Sequence, residues 1–273
     1  MTWIGLGAGL VLLVTEVAAA VGWRDDAARP AASDDGRLSH VHGLGVNPAD
    51  GQLYVATHHG VFRLSDAQAT RVGDGRQDTM GFTVTGPNEF LASGHPAPDE
   101  DGPPHLGLIH TSDVGRSWQS LSLAGRADFH LLRSSGGVVY GLDSTSGALM
   151  ASSDGLTWQT RSTLEAYDLA VDPHHPDTLL AATDQGMRRS TDGGRTWTPA
   201  GGPPAVLLHW SPRDLVAVTA DGTLMRSVDG AATWSATGGR APGAPAALSM
   251  HENLIYLATR DGRVLRSADA GAT

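Results

Sequence analysis

The sequence contains no cysteine, and this absence excludes several kinds of chemistry at once. Without thiols the chain can form no disulfide, no thiolate metal site and no cysteine nucleophile. Lysine is absent too, so all 19 basic residues are arginine, and the net charge at pH 7 is -10. Because an acidic chain without a basic stripe has little to offer a phosphate backbone, we expect no nucleic-acid partner.

Charged residues make up only 18% of the 273 residues, whereas hydrophobic residues make up 40%. These proportions are typical of a packed domain and not of a disordered chain. The sequence also has 35 glycines and 15 prolines, which suit many short strands joined by tight turns. The composition therefore favours one large all-β domain.

The N-terminus is the one long apolar run, from Trp3 to Trp23. It is interpreted either as a cleaved signal peptide or as a transmembrane helix that anchors the protein, since about 20 apolar residues can span a bilayer. Arg24 and Arg29 follow the run and no basic residue precedes it, an arrangement that favours a cytoplasmic C-terminus. We nevertheless favour export, with residues 1–23 as signal or anchor. Residues 24–37 lack large apolar side chains and are interpreted as a flexible linker to the membrane.

A repeated motif dominates residues 38–273. Its copies are Thr111-Ser-Asp113-Val-Gly115-Arg-Ser117-Trp118, Ser152-Ser-Asp154-Gly155-Leu-Thr157-Trp158, Ser190-Thr-Asp192-Gly-Gly194-Arg-Thr196-Trp197, Ser227-Val-Asp229-Gly-Ala231-Ala-Thr233-Trp234 and Ser267-Ala-Asp269-Ala-Gly271-Ala-Thr273. A degenerate copy surrounds Asp66. Successive aspartates are separated by 47, 41, 38, 37 and 40 residues, and a period near 40 indicates one propeller blade per repeat.

The motif resembles the Asp-box (BNR) repeat of sialidase-like β-propellers, S-x-D-x-G-x-T-W. The resemblance implies a β-propeller of six or seven four-stranded blades, in which each box is the turn between the third and fourth strands. The aspartate is expected to cap backbone N–H groups and the tryptophan to anchor the blade, so we interpret the boxes as structural. The sixth copy ends before its tryptophan, so the last blade is expected to be incomplete. Either an N-terminal strand completes it or the sequence is a fragment.

Strand order predicts where a ligand would bind. With the boxes on one face, the opposite (front) face carries the starts of the first strands and the turns between second and third strands. Pairs of residues recur there in blades one to four: His40 and His42, Asp78 and Met80, Asp128 and His130, Glu165 and Tyr167. The turns add His58, His59 and His95, and an insertion in blade two, residues 96–105, adds His105.

These side chains suggest a site for a divalent transition metal, copper or zinc. Imidazole, carboxylate and thioether groups are suitable ligands for such ions. The metal candidates are His40, His42, His58, His59, Met80, His95 and His130. The alternative interpretation is that these histidines only cap loops and contact solvent. His174 and His175 are expected on the back face, away from the site.

A second hypothesis comes from the resemblance. Small bacterial Asp-box propellers bear the general names glycosylhydrolase or exo-sialidase, which implies an exo-acting glycoside hydrolase. The candidate catalytic residues are Tyr167, Glu165, Asp78 and Asp128, but the sialidase set of nucleophile, acid and arginine clamp is not recognisable. Since a shared fold does not carry the activity with it, enzymatic activity stays open. The leading expectation is an exported, membrane-tethered module that binds a metal, glycan or protein on its front face.

Overall fold

The computed structural model describes residues 38, 40–65 and 68–273. The predicted signal or anchor (1–23), the linker (24–37) and the repeat copy at Asp66 lie outside the described residues. Among the described residues, no helix has the length and apolar character needed to cross a membrane.

The described part of the chain forms 23 strands in six antiparallel sheets, which we number as blades 1 to 6. Blade 1 contains β1 (Val41–Val46), β2 (Leu53–Thr57), β3 (Gly60–Ser65) and β4 (Gln68–Arg71). Blade 2 contains β5 (Asp78–Gly86), β6 (Glu89–His95), β7 (Leu108–Thr111) and β8 (Gln119–Ser122). Blade 3 contains β9 (Phe129–Ser135), β10 (Val138–Asp143), β11 (Ala148–Ser152) and β12 (Gln159–Thr163).

The remaining blades repeat this order. Blade 4 contains β13 (Asp168–Val171), β14 (Leu179–Thr183), β15 (Gly186–Ser190) and β16 (Thr198–Pro199). Blade 5 contains β17 (Ala205–Trp210), β18 (Leu215–Thr219), β19 (Thr223–Ser227) and β20 (Ser235–Arg240). Blade 6 contains β21 (Pro245–His251), β22 (Leu254–Thr259) and β23 (Val264–Ser267), and in the described residues no fourth strand pairs with β23.

The six sheets close into a ring around a central channel. Each first strand packs against the first strand of the next blade, and β21 of blade 6 packs against β1 of blade 1. The protein is therefore an all-β propeller of six blades, as the repeat period predicts.

The core consists of six apolar clusters, one between each pair of neighbouring blades. The cluster that closes the ring contains Val55 and Phe62 of blade 1 and Ala258 of blade 6. Because inner strands are covered on both faces, β2 and β14 are buried along their whole length, whereas the outer strand β8 is largely exposed. The short apolar strands between glycine-rich turns are thus the inner strands of each blade, and they pack against the neighbouring blades.

The repeated motif forms the turn between the third and fourth strands, as the turn of blade 4 illustrates. The carboxylate of Asp192 accepts hydrogen bonds from the backbone N–H groups of Arg195 (3.0 Å) and Thr196 (2.9 Å) and from the Thr196 hydroxyl (2.6 Å). Ser190 Oγ donates to Asp192 and accepts from the N–H of Gly194. Gly194 has a φ of +81°, and a Cβ there would lie 2.4 Å from Leu149 Cδ2, so glycine is favoured at this position, although Ala231 takes it in blade 5 with a φ of +72°.

These hydrogen bonds stabilise the ionised carboxylates of the turns. They lower the pKa of Asp192 to about 2. The same cause lowers to about 2 the pKa of Asp154, Asp229 and Asp269. The pKa of Asp113 is also lowered to about 2, because its hydrogen bonds outweigh a desolvation effect of opposite sign. The negative charge of each aspartate is therefore stabilised by hydrogen bonds from its own turn.

The tryptophans of the motif pack between blades. Trp158 and Trp197 each donate from Nε1 to a serine of the preceding blade, Ser122 at 2.9 Å and Ser162 at 3.1 Å. Trp118 and Trp234 pack against neighbouring clusters in the same way. Trp234 Nε1 is buried without a hydrogen-bond partner among the described residues, and Gly202 lies beside it.

Candidate metal-binding site

The two mouths of the channel are bordered by different turns. The repeated turns lie beside the turns that join first and second strands, and one hydrogen bond runs from Val114 N to Asn88 O. First strands begin at the opposite, front mouth, where the turns between second and third strands also lie. Any site at the front mouth is therefore separated from the repeated turns by the length of a strand.

A β-bulge recurs near the start of the first strand. The bulged residues are His42, Met80, His130, Val206 and Ala246, in blades 1, 2, 3, 5 and 6. In blade 4 the corresponding residue is Tyr167, whose N–H donates to Ala182 O just before β13. Since a bulge re-aims a side chain, the four residue pairs predicted from the sequence occupy equivalent positions at this mouth.

The front mouth gathers six imidazoles and two carboxylates from blades 1 to 3, which we call the front cluster: His40, His42, His58, Asp78, His95, His105, Asp128 and His130. Its first triad is His42, His58 and Asp78. Asp78 Oδ1 lies 2.7 Å from His58 Nδ1 and 3.9 Å from His42 Nε2. The ring of His40 flanks this triad, with its centroid 4.6 Å from that of His58.

The second triad is His95, Asp128 and His130. Asp128 Oδ2 lies 2.9 Å from His130 Nε2 and 3.4 Å from His95 Nε2. The carboxylate is buried, and Ser144 Oγ donates to it at 2.7 Å. The ring of His105 flanks this triad, with its Nδ1 3.9 Å from Asp128 Oδ2.

The imidazole of His95 lies between the two triads. Its Nδ1 is 3.5 Å from Asp78 Oδ2, while its Nε2 faces Asp128. The preceding residue, Gly94, has a φ of +145°, and a Cβ there would lie 1.9 Å from the carbonyl oxygen of Asp78. Glycine thus lets the end of β6 approach β5 closely before the chain enters the insertion that carries His105.

Four polar atoms of the front cluster are buried without a hydrogen-bond partner: His42 Nε2, Asp78 Oδ1, His105 Nδ1 and Asp128 Oδ1. Asp78 Oδ1 lies close to His58 Nδ1, but the two atoms lack hydrogen-bond geometry. Buried polar atoms are normally paired, and leaving one unpaired costs about 1–3 kcal/mol. The four atoms without a hydrogen-bond partner are therefore concentrated at one mouth of the channel.

The electrostatics of His42 suit a metal ligand. Burial, together with the nearby His58, lowers the pKa of His42 to about 4. The imidazole of His42 is therefore neutral at pH 7, and a neutral imidazole is the form that binds metals.

Asp143 supports the second triad from behind. Its Oδ1 accepts from Asp128 N at 2.9 Å, and its Oδ2 accepts from the hydroxyls of Thr145 and Ser146. These contacts fix the backbone that presents Asp128.

Several sequence candidates lie apart from the front cluster. The ring of His59 is exposed, and Met80 occupies the bulge of blade 2. Among the described residues, no hydrogen bond, ion pair or ring contact joins either side chain to the cluster. Glu165 is exposed and Tyr167 is 54% exposed. Both line a cavity that also borders His130, but among the described residues no hydrogen bond, ion pair or ring contact joins them to the cluster. Asp78 and Asp128, the candidate catalytic carboxylates, lie among the histidines of the cluster.

The sequence reasoning left His105 out of the metal candidates. Because the insertion in blade 2 has no counterpart in the other blades, repeat register could not place it. The sequence feature that could have identified His105 is its position at the end of an unusually long connection between the second and third strands of blade 2.

Comparisons with known proteins support the fold. No protein-family model matches the chain, and no curated protein matches it. The structure is similar to that of YCF48 bound to D1 peptide, at 14% identity over 84% of this chain and 93% of that one, with a TM-score of 0.56. It is also similar to the Pan2 WD40 domain of Neurospora crassa, at 11% identity over 84% and 88% of the two chains, with a TM-score of 0.53.

An ancestral GH74 enzyme is a third similar structure, at 16% identity and a TM-score of 0.51. The match covers 81% of this chain but only 35% of that enzyme. Likeness at these identities shows a propeller fold and nothing finer. The Asp-box resemblance of the repeats stays a prediction, while their turn geometry stands on the contacts above.

Proposed function

We propose that this protein is a binding propeller whose front mouth holds a divalent transition metal, with zinc and copper as the candidate ions. The four unpaired buried atoms of the front cluster carry the proposal. A bound cation would contact the lone pairs of these nitrogens and oxygens and offset the cost of burying them.

The donor set fits this chemistry. Histidine nitrogens with carboxylate oxygens, and no thiolate, are common ligands of zinc and of copper(II). Zinc holds such atoms at about 2.0–2.2 Å, so ligand atoms of one tetrahedral site lie roughly 3.4 Å apart. The spacings within the triads, from 2.7 to 3.9 Å, bracket this value.

The front mouth also leaves room for a further ligand. A cavity of about 760 Å³ borders His40 and His42 and is lined on its other side by Tyr167, Val206 and Ala246. A metal held by three protein groups keeps positions open for an outside donor. A glycan or a peptide that coordinates the ion is thus the ligand class we favour, and the peptide-bound YCF48 propeller is a precedent for a peptide ligand on this fold.

A glycoside hydrolase is supported less well by the contacts. Asp78 and Asp128 each lie against imidazoles, and neither Glu165 nor Tyr167 contacts them. If the protein were such an enzyme, Glu165→Gln or Tyr167→Phe would abolish glycosidase activity while leaving metal binding intact.

The metal proposal is tested by titrating the purified full-length protein in mild detergent with Zn²⁺ and Cu²⁺ in a calorimeter. Metal analysis of the protein as isolated accompanies the titration. We expect tight binding that is lost in the double variant His42→Ala with His130→Ala. His174→Ala is the matched control, because that histidine is exposed and contacts only Pro212 O at 3.0 Å. Absence of tight binding to the unaltered protein would refute the proposal.

We also propose that the propeller is exported and tethered through residues 1–23, on the basis of the sequence alone. Protease added to intact cells should then digest the propeller. Protection until the cells are lysed would contradict export.

A further inference from the structure

We propose that the front cluster binds two metal ions side by side, one in each triad, with His95 linking them. This inference rests on the proposed metal-binding function. It specifies how many ions bind and how the two sites are connected.

Two ions are needed because the ligand atoms form two separate groups. The three ligand atoms of each triad lie within 4.8 Å of one another, and the two triads share no residue. One first-row ion holds nitrogen and oxygen ligands at about 2.0–2.2 Å, so two ligands of one ion lie at most about 4.4 Å apart. The ring of His95 stands between the two carboxylates, so a single ion cannot contact both triads.

The two triads have the same composition. Each contains two imidazoles and one aspartate, and each is flanked by one more imidazole, His40 beside the first and His105 beside the second. The aspartate of each triad also has one buried oxygen without a hydrogen-bond donor: Oδ1 of Asp78, which faces His42 and His58, and Oδ1 of Asp128, whose Oδ2 faces His95 and His130. The case for an ion therefore applies separately to each half of the cluster.

His95 connects the halves through its two ring nitrogens. With Nε2 directed at the second ion, Nδ1–H can donate to Asp78, a ligand of the first ion. A metal-bound histidine whose other nitrogen donates to a carboxylate is held in one tautomer and orientation, and such partners typically change affinity by about 10–100-fold. His95 is thus a ligand of the second site and a positioning residue for the first.

The test counts ions in single-site variants by native mass spectrometry and by titration with Co²⁺, whose absorption reports each filled site. The unaltered protein should bind two ions. His58→Ala should remove the first site and His130→Ala the second, leaving one ion each, and the double variant should bind none. Both residues are more than a quarter exposed, so neither change should unfold the protein. His59→Ala, next to His58 but outside the cluster, is the matched control and should still bind two ions.

The linking role of His95 has its own readout. His95→Ala should leave at most one ion and weaken the remaining first site by about 10–100-fold, an effect that His130→Ala should not have. In the copper(II) form, the unaltered protein should show a magnetically coupled EPR signal, and His130→Ala an isolated one.

The failures can be told apart. If the protein binds a single ion and both His58→Ala and His130→Ala abolish it, the two-ion inference is wrong and the proposed function survives. If the unaltered protein binds no ion, both fail. If His95→Ala and His130→Ala have equal effects on the first site, the linking role is wrong.

Discussion

Aspartates of two kinds lie at the starts of the first strands of this propeller, and their hydrogen bonding differs. Asp168, which begins β13, is 1% exposed, and each of its oxygens has a donor. Its Oδ1 accepts from Arg133 of blade 3 and from Leu169 N at 2.8 Å, and its Oδ2 accepts from Leu208 N of blade 5 at 2.9 Å. At the front mouth, Asp78 and Asp128 each retain a buried oxygen without a donor.

The difference separates a structural carboxylate from a binding one. Asp168 joins three blades, and both of its oxygens accept hydrogen bonds from within the protein. Asp78 and Asp128 are held among imidazoles that can either share protons with them or share a cation. The chain therefore supplies complete hydrogen bonding where blades must stay together and leaves it incomplete where a ligand is expected.

The front mouth itself shows the same contrast between blades. The bulge position is His42, Met80 or His130 in blades 1 to 3, but Val206 and Ala246 in blades 5 and 6. The same backbone position therefore carries two histidines and a methionine on one side of the mouth and apolar side chains on the other. A bound molecule could pack against the apolar side.

The largest effect on stability is expected from Asp168→Asn. The amide cannot accept from all three donors, and it leaves the partly buried Arg133 without its counter-charge. Breaking one side of a buried ion pair typically costs about 3–5 kcal/mol. Urea unfolding of the metal-free protein should show this loss, while the number of bound metal ions should not change. A loss below about 1 kcal/mol would contradict the structural role of Asp168.

The double variant Asp78→Asn with Asp128→Asn should lose metal affinity and keep most of its stability, the reverse of Asp168→Asn. Removing both carboxylates from the ligand set should weaken metal binding at least a hundredfold, by analogy with the cost of losing even outer partners. The free energy of unfolding of the metal-free protein should change by less than about 1 kcal/mol per site, since the amide oxygen of asparagine can still accept the hydrogen bonds that Ser144 and His95 make with the carboxylates. Calorimetric titration and urea unfolding measure the two quantities. A large loss of stability with unchanged affinity would reverse the assignment of the two groups.

Acid should act on the repeated turns. The folded-state pKa of Asp192 is about 2, below its ordinary value of 3.8, so its stabilisation is present above pH 4 and is lost as the pH falls towards 2. The melting temperature of the metal-free protein should therefore fall steeply between pH 4 and pH 2. Asp192→Asn should be less stable at neutral pH and should show a shallower fall.

Asp74→Asn is the control for the acid experiment, because Asp74 is exposed and accepts no hydrogen bond among the described residues. Its acid transition should match that of the unaltered protein. An unchanged transition in Asp192→Asn would mean that the turn carboxylates do not set the acid stability.

The fold could be predicted well from the sequence because most blades repeat the same turn residues at a nearly constant spacing. Six copies of one turn, about 40 residues apart, predicted six or seven blades and the face on which the turns lie, and the structure has six. The same register placed His42, Met80 and His130 at equivalent positions, and the bulges at these residues agree.

The composition of the candidate site could be predicted only in part. Asp78 and Asp128 were assigned to catalysis and the histidines to metal, but ring closure places them in one cluster, and contacts between blades have no sequence signal in a single chain. His58 and His59 are adjacent in one turn, and only the path of that turn decides which ring faces the channel. His105 lies in an insertion, where repeat register gives no information.

The smallest predicted effect tests whether an unpaired atom always marks a binding site. Trp234 Nε1 is unpaired, yet it lies between blades 4 and 5 beside Gly202 and is not part of the front cluster. We interpret it as a tolerated defect, in contrast to Trp197, whose Nε1 donates to Ser162.

Trp197→Phe and Trp234→Phe form a matched pair for this test. Both remove the same ring volume, but only Trp197→Phe also breaks a hydrogen bond, which leaves Ser162 with its donation to Gly194 O alone. Trp197→Phe should therefore cost about 1 kcal/mol more than Trp234→Phe, and urea unfolding can resolve the difference. Equal losses would mean that the serine contact adds nothing to the anchoring of the blades. A larger loss for Trp234→Phe would mean that its Nε1 has a partner after all, and would weaken the use of unpaired atoms as markers of a site.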